Sequence, residues 1–119
     1  MPKRDLNLLM ADILEAIDKI ERYTADLSPV EFEANDMAVD AVVRNLEVIG
    51  EATRQISPEV RDRYATIDWT AVVGFRNVVI HEYFDVDLDI VWTIATERLA
   101  ELRRVVQAML EDWTEGNWG

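Results

Sequence analysis

Apolar residues recur at helical spacing along almost the whole chain, and only four Gly and three Pro in 119 residues interrupt them. A period near 3.6 selects α-helix, because residues three and four apart then share a face. No run alternates apolar and polar residues long enough to read as a strand. Leu6, Leu9, Ile13, Ile17 and Ile20 make the stripe of a first helix, predicted from about Asp5 to about Thr24. Asp12, Glu15, Asp18 and Glu21 fall mostly on its other faces. Ser28-Pro29-Val30-Glu31 marks a second start, a capping box with Pro at the first helical position. From there the pattern carries helix to about Ile56, with Val42, Leu46 and Ile49 inward, and Asn35-Asp36 offers a break. Ser57-Pro58 opens a short helix from Glu59 to about Tyr64. Asp68 can cap a fourth helix with Trp69, Val72, Val73 and Val79 facing the core, ending between His81 and Phe84. Asp85 or Asp87 restarts a long final helix, with Val91, Ile94, Leu99, Leu102, Val106 and Met109 or Leu110 along one side. The expected fold is therefore all-α, an up-and-down bundle of four to five helices. It is expected to form a single domain over residues 1–113, followed by a loose tail over 114–119.

Charge and composition narrow what such a bundle does. Twelve Lys+Arg against 24 Asp+Glu give a net charge of −12 with the single His neutral. So acidic a chain lacks the broad basic surface that supplies nonspecific nucleic-acid affinity, so any such site must be local. Cys is absent, which removes disulfides, thiolate metal sites and Cys nucleophiles, and one His removes multi-histidine metal sites within one chain. No metal or cofactor is expected. Met1-Pro2-Lys3-Arg4 is basic, yet Asp5, Asp12 and Glu15 interrupt what would be the apolar region of a signal peptide. The longest uncharged run is seven residues, as in Trp69 to Phe75, against roughly 20 for a membrane-spanning helix. A cytoplasmic location without membrane attachment is the expectation.

Two features carry possible chemistry. Asp40, Arg44, Glu47 and Glu51 make a polar stripe in the second helix, and Arg44, Glu47 and Glu51 fall within roughly 60° of one another at about 100° per residue. Two carboxylates beside an Arg are compatible with a site, with an ion-pair network, or with a solvated face carrying weak pairs. The second feature is Gly74-Phe75-Arg76-Asn77-Val78-Val79-Ile80-His81-Glu82-Tyr83, which holds the only His. Asn77 and His81 share a face on a continuing helix, so the Asn amide can orient the imidazole. Arg76 and His81 stand about 140° apart around an ideal helix, so they converge only if the helix ends near His81 or a second copy completes the site. A plainer reading has His81 capping a helix C-terminus and Arg76 paired with a surface carboxylate.

An Arg and a His together suit RNA cleavage without a metal. That reaction needs a base on the ribose 2′-OH, an acid on the leaving 5′-oxygen and a cation on the phosphorane-like transition state. Imidazole titrates near neutrality and serves the proton transfers. Guanidinium is permanently charged and grips phosphate bidentately.

Arg76-Asn77-x-x-x-His81-x-Tyr83 resembles the Arg-x-x-x-x-His-x-Tyr motif of HepT-like proteins, a branch of the HEPN superfamily. Arg44-Asn45-Leu46-Glu47-Val48-Ile49-Gly50-Glu51-Ala52 is similar to that family's central-helix signature. Ile67-Asp68-Trp69 before the motif, and Tyr83-Phe84 to Val91-Trp92 after it, are similar too, so the resemblance spans residues 5 to about 110. It implies an all-helical homodimer with the Arg and His of both chains facing a shared cleft. It also implies a metal-independent endoribonuclease toxin, paired with a minimal nucleotidyltransferase antitoxin that neutralises it by transferring AMP to the motif Tyr. Carried over residue by residue, Arg76 would bind the scissile phosphate, His81 would be the acid/base, Asn77 would orient the site and Tyr83 would be modified. Arg44, Glu47 and Glu51 would support the cleft. Two other classes fit the same residues: a non-catalytic module presenting a nucleotide or substrate to a nucleotidyltransferase partner, and a structural helical dimer whose motif has fallen out of use.

Overall fold

A computed structural model describes residues 5–81 and 87–116, apart from the side chains of 77–81. Its first helix, α1, spans Leu6–Thr24 and buries Leu9, Met10, Ile13, Ala16, Ile17 and Ile20, the stripe expected from the periodicity widened by Met10 and Ala16, with Leu6 only partly buried at its start. The capping box then forms in full. The Ser28 side chain accepts from the Glu31 N–H at 3.1 Å, and the Glu31 carboxylate accepts from the Ser28 N–H at 3.0 Å. These two bonds satisfy donors that a helix start leaves free, and they hold Glu31 below the usual carboxylate range. The helix they start, α2, is short, Pro29–Glu33. The chain breaks at Asn35, whose side chain accepts from the Ala38 N–H at 3.0 Å and starts α3, Asp36–Gln55.

Ser57-Pro58 opens α4, Pro58–Asp62, a shorter helix than the pattern predicts. Asp68 accepts from the Ala71 N–H at 3.2 Å at the start of α5, Trp69–His81. Trp69 and Val72 are buried as expected, Val73 only partly, and Phe75 joins the core instead. Val79 and the expected helix end between His81 and Phe84 lie outside the described side chains and residues. Asp87, not Asp85, caps the next helix, accepting from the N–H groups of Asp89 and Ile90. What the sequence presents as one final helix is α6, Leu88–Thr93, then a π-type turn, Ile94–Arg98, then α7, Leu99–Thr114. Val91, Ala95 and Leu99 are all buried. Two consecutive four-residue steps drift about 80° on an α-helix, and the wider turn brings the three back to one side. Met109, rather than Leu110, completes the buried stripe. A Gly116 turn at φ 75° follows α7, and the rest of the expected tail, 117–119, lies outside the described residues.

Helix α3 is the central rod, packing most extensively on α1 and α5, while α1 also meets α7. Leu9 and Asp12 line a groove with Val48, Glu51 and Gln55, whereas Lys19 and Tyr23 share one with Ala41 and Asn45, so α1 and α3 run antiparallel. Phe32 of α2 closes the core against Trp92, ring centroids 5.2 Å apart. Among the described residues the protein is all-α, and no helix is long and apolar enough to cross a membrane. The rods build an elongated body of 48 × 27 × 25 Å, whose central helix carries the polar stripe.

Candidate active site

Helix α3 turns Val42, Leu46 and Ile49 into the core, so Arg44, Glu47 and Glu51, about a half-turn away, stand on its far side, exposed or half-buried. Helix α5 brings Arg76 to the same place. Arg44, Glu47, Glu51 and Arg76 line one open groove of about 550 Å³, walled on its α1 side by Leu9 and Asp12. A second hollow, of about 330 Å³, adjoins it through Asp12, Arg44 and Val48 and reaches Lys19 and Tyr23. Three residues of the polar stripe and the Arg of the motif, far apart in sequence, are thus one locality, while Asp40 is exposed and lines neither hollow.

Glu51 is held by Arg54, three residues further along α3: Arg54 Nη2 lies 2.6 Å from Oε1 and Nε lies 3.2 Å from Oε2, a bidentate grip. The Arg76 guanidinium reaches the same carboxylate from α5, Nη1 to Oε2 at 3.4 Å. The Arg54 hydrogen bonds, then the Arg54 and Arg76 charges, pull Glu51 below the usual carboxylate range against the opposing effect of burial, so it is an anion near neutrality. The Arg76 side chain remains 43% exposed, enough to meet a second anion from the groove side. Arg44 is exposed on the same wall. Asn45 is buried and donates its amide to the Ala41 carbonyl at 2.8 Å, a structural role within α3.

Gly50 makes the approach of α5 possible. A Cβ there would stand 3.0 Å from both the Cβ and the backbone N of Arg76. Neither Gly50 nor Arg54 stands out from the charge pattern, although a glycine inside an amphipathic helix and an Arg three residues after a Glu are both visible signals. His81 is the last residue of α5 as described, about 7.5 Å further along the axis than Arg76. The side chains of Asn77 and His81, and all of Tyr83, lie outside what the structure describes. Among the described residues no group of three or more His, Asp or Glu is placed to hold a metal ion.

Another hollow, of about 650 Å³, lies between Ala71, Phe75, Ile90 and Leu102 and includes none of the site residues above.

The profile of the family described as "Ribonuclease HepT-like" matches residues 13–109, a stretch holding both the α3 stripe and the Arg76–Tyr83 motif. The chain belongs to this family. A Methanocaldococcus jannaschii protein named "Putative RNase MJ1380" is 37% identical over 107 residues, covering 90% of this chain and 98% of the relative. A second from that organism, "Putative RNase MJ0125", is 37% identical over 115 residues, 97% of this chain and 99% of its own. "Probable ribonuclease HepT" of Thermococcus cleftensis is 33% identical over 101 residues, 85% of this chain and 92% of its own. No solved structure matches the chain significantly. The family's helical fold agrees with the observed bundle, and the matches run nearly end to end in each relative.

Proposed function

We propose that this chain is a metal-independent endoribonuclease, the toxin of a pair whose antitoxin is a minimal nucleotidyltransferase. The observation that carries the reading is Arg76: a half-exposed guanidinium seated on an α3 carboxylate at the lip of an open groove, five residues before His81 on the same helix. Kinship with proteins named ribonucleases supports it. In the proposed reaction His81 takes the proton of a ribose 2′-OH as that oxygen attacks phosphorus. The 5′-oxygen of the next nucleotide leaves with a proton returned by an imidazole, giving a 2′,3′-cyclic phosphate and a 5′-OH. Arg76 neutralises the charge that gathers on the phosphoryl oxygens. Asn77 orients His81, and Arg44, Glu47 and Glu51 support the groove.

Arg76 and His81 diverge by about 140° around α5, so the proposed active unit is a homodimer in which each copy completes the other's cleft. AMP placed on Tyr83 by the antitoxin would add an anion and a bulky adenosine near the same guanidinium, displacing substrate phosphate. The other reading, a non-catalytic module presenting nucleotide or substrate to the nucleotidyltransferase, shares every residue but not the chemistry. Expression of the protein alone separates them. The toxin reading expects arrested growth and degraded RNA, both relieved by His81→Ala and by co-expression of the adjacent nucleotidyltransferase. Unchanged growth and intact RNA with folded, AMP-free protein would favour the module. Intact mass should rise by AMP units on co-expression, and Tyr83→Phe should abolish the rise; modification that persists in Tyr83→Phe would move the site elsewhere.

A further inference from the structure

Gly50 occupies the interior of α3, where glycine is a poorer helix former than alanine. An added Cβ would meet Arg76 Cβ and Arg76 N at 3.0 Å and the Val73 carbonyl oxygen at 3.2 Å. Two of these three atoms are backbone of α5, and none is the free end of a flexible side chain. A methyl group at position 50 can therefore be accommodated only if α5 retreats at Arg76. Gly74, the other helical glycine, is the contrast: a Cβ there meets nothing within 4 Å. Glu51, next in the chain, takes the far end of the same Arg76 side chain at 3.4 Å. Helix α3 thus holds both the root and the tip of Arg76 with consecutive residues.

We propose that Gly50 is a positioning residue for Arg76. Its missing side chain lets α5 lie close enough for the guanidinium to sit between the Glu51 carboxylate and an incoming phosphate. The role in catalysis rests on the ribonuclease reading above; the contact with Arg76 does not. Gly50 touches no substrate in this account and acts only through the arginine.

The test compares wild type, Gly50→Ala and Gly74→Ala as folded full-length proteins, with two readouts. The first is the guanidinium Nε–Hε resonance of Arg76, assigned by its loss in Arg76→Lys. Gly50→Ala should move it and Gly74→Ala should not. The second is kcat/KM on single-stranded RNA. A shift of a few tenths of an ångström at a phosphate ligand should lower it about tenfold in Gly50→Ala, since 1 Å of misplacement costs about a hundredfold. In an Arg76→Ala background Gly50→Ala should have no further effect, because the residue it acts through is gone. An unmoved Arg76 resonance, an equal loss with and without Arg76, or a Gly50→Ala protein that does not fold would assign Gly50 to packing alone and overturn the proposal. A moved resonance in a protein whose wild type neither binds nor cleaves RNA would uphold the positioning and remove the ribonuclease reading instead.

Discussion

Arg54 takes both oxygens of Glu51 and leaves Arg76 the longer contact, 3.4 Å against 2.6 Å, so the arginine proposed to meet phosphate is steadied without being consumed. Removing Arg54 gives the Glu51 anion wholly to Arg76, where it competes with substrate. Arg54→Gln should raise KM for RNA several-fold with kcat little changed, the pattern of lost ground-state binding. In Glu51→Gln the same change should do nothing, and steady-state kinetics of the four proteins check both statements. Because the folded pKa of Glu51 is depressed below 4.5, its pairing is intact above that pH and is lost as pH falls through the lower folded value. Acid therefore frees both arginines rather than tightening them. Of these residues, Glu51 and Arg76 are legible in the sequence, one from helical spacing and one from its motif. Their partnership is not, because helical spacing relates Glu51 only to other residues of α3 and says nothing about which residue α5 delivers. Gly50 is legible as an anomaly but not as a contact, since an approach of two backbones leaves no periodic mark.

The glycine of α5 makes the complementary case for whole helices. Gly74 faces space and not a neighbouring backbone, so Gly74→Ala should stabilise the protein by about 0.5–1 kcal/mol, raising the thermal midpoint by a few degrees. Calorimetry that shows destabilisation would mean α5 packs differently there. At the start of α2, Ser28→Ala removes one half of the reciprocal cap and should cost about 1 kcal/mol. Helix starts were the most readable structure in this chain, because Ser28, Asn35, Ser57, Asp68 and Asp87 are each side chains that accept from their own following N–H groups. Local chemistry writes such a start into a few residues. The π-type turn at Ile94–Arg98 was not readable, since its only trace is two consecutive four-residue steps among Val91, Ala95 and Leu99.

Across the whole molecule, long-range ties join the helices where the sequence shows none. Arg103 of α7 meets Asp18 at 2.6 Å and Glu21 at 2.9 Å on α1. Tyr64, after α4, donates its hydroxyl to Asp112 near the end of α7, and burial and that carboxylate push its pKa up from 10.0 to about 12. The fold thus favours the neutral phenol. Its contribution is fully present below pH 10 and is lost as pH rises through about 12. Denaturant midpoints measured over that window should fall more steeply for wild type than for Tyr64→Phe, and parallel curves would mean the hydroxyl is not engaged. The net charge of −12 leaves no broad basic surface for RNA, so the proposed affinity must come from local cations such as Arg44 and Arg76 in the groove. The proposed homodimer should sediment as such at micromolar concentration. The most direct measurement of the central claim is cleavage of single-stranded RNA by purified, AMP-free protein in excess EDTA, beside Arg76→Ala and His81→Ala. The account predicts cleavage that EDTA leaves unchanged and that both substitutions lower by a hundredfold or more, of the order general acid–base and charge stabilisation supply. Cleavage abolished by EDTA, or undiminished in either variant, would contradict it.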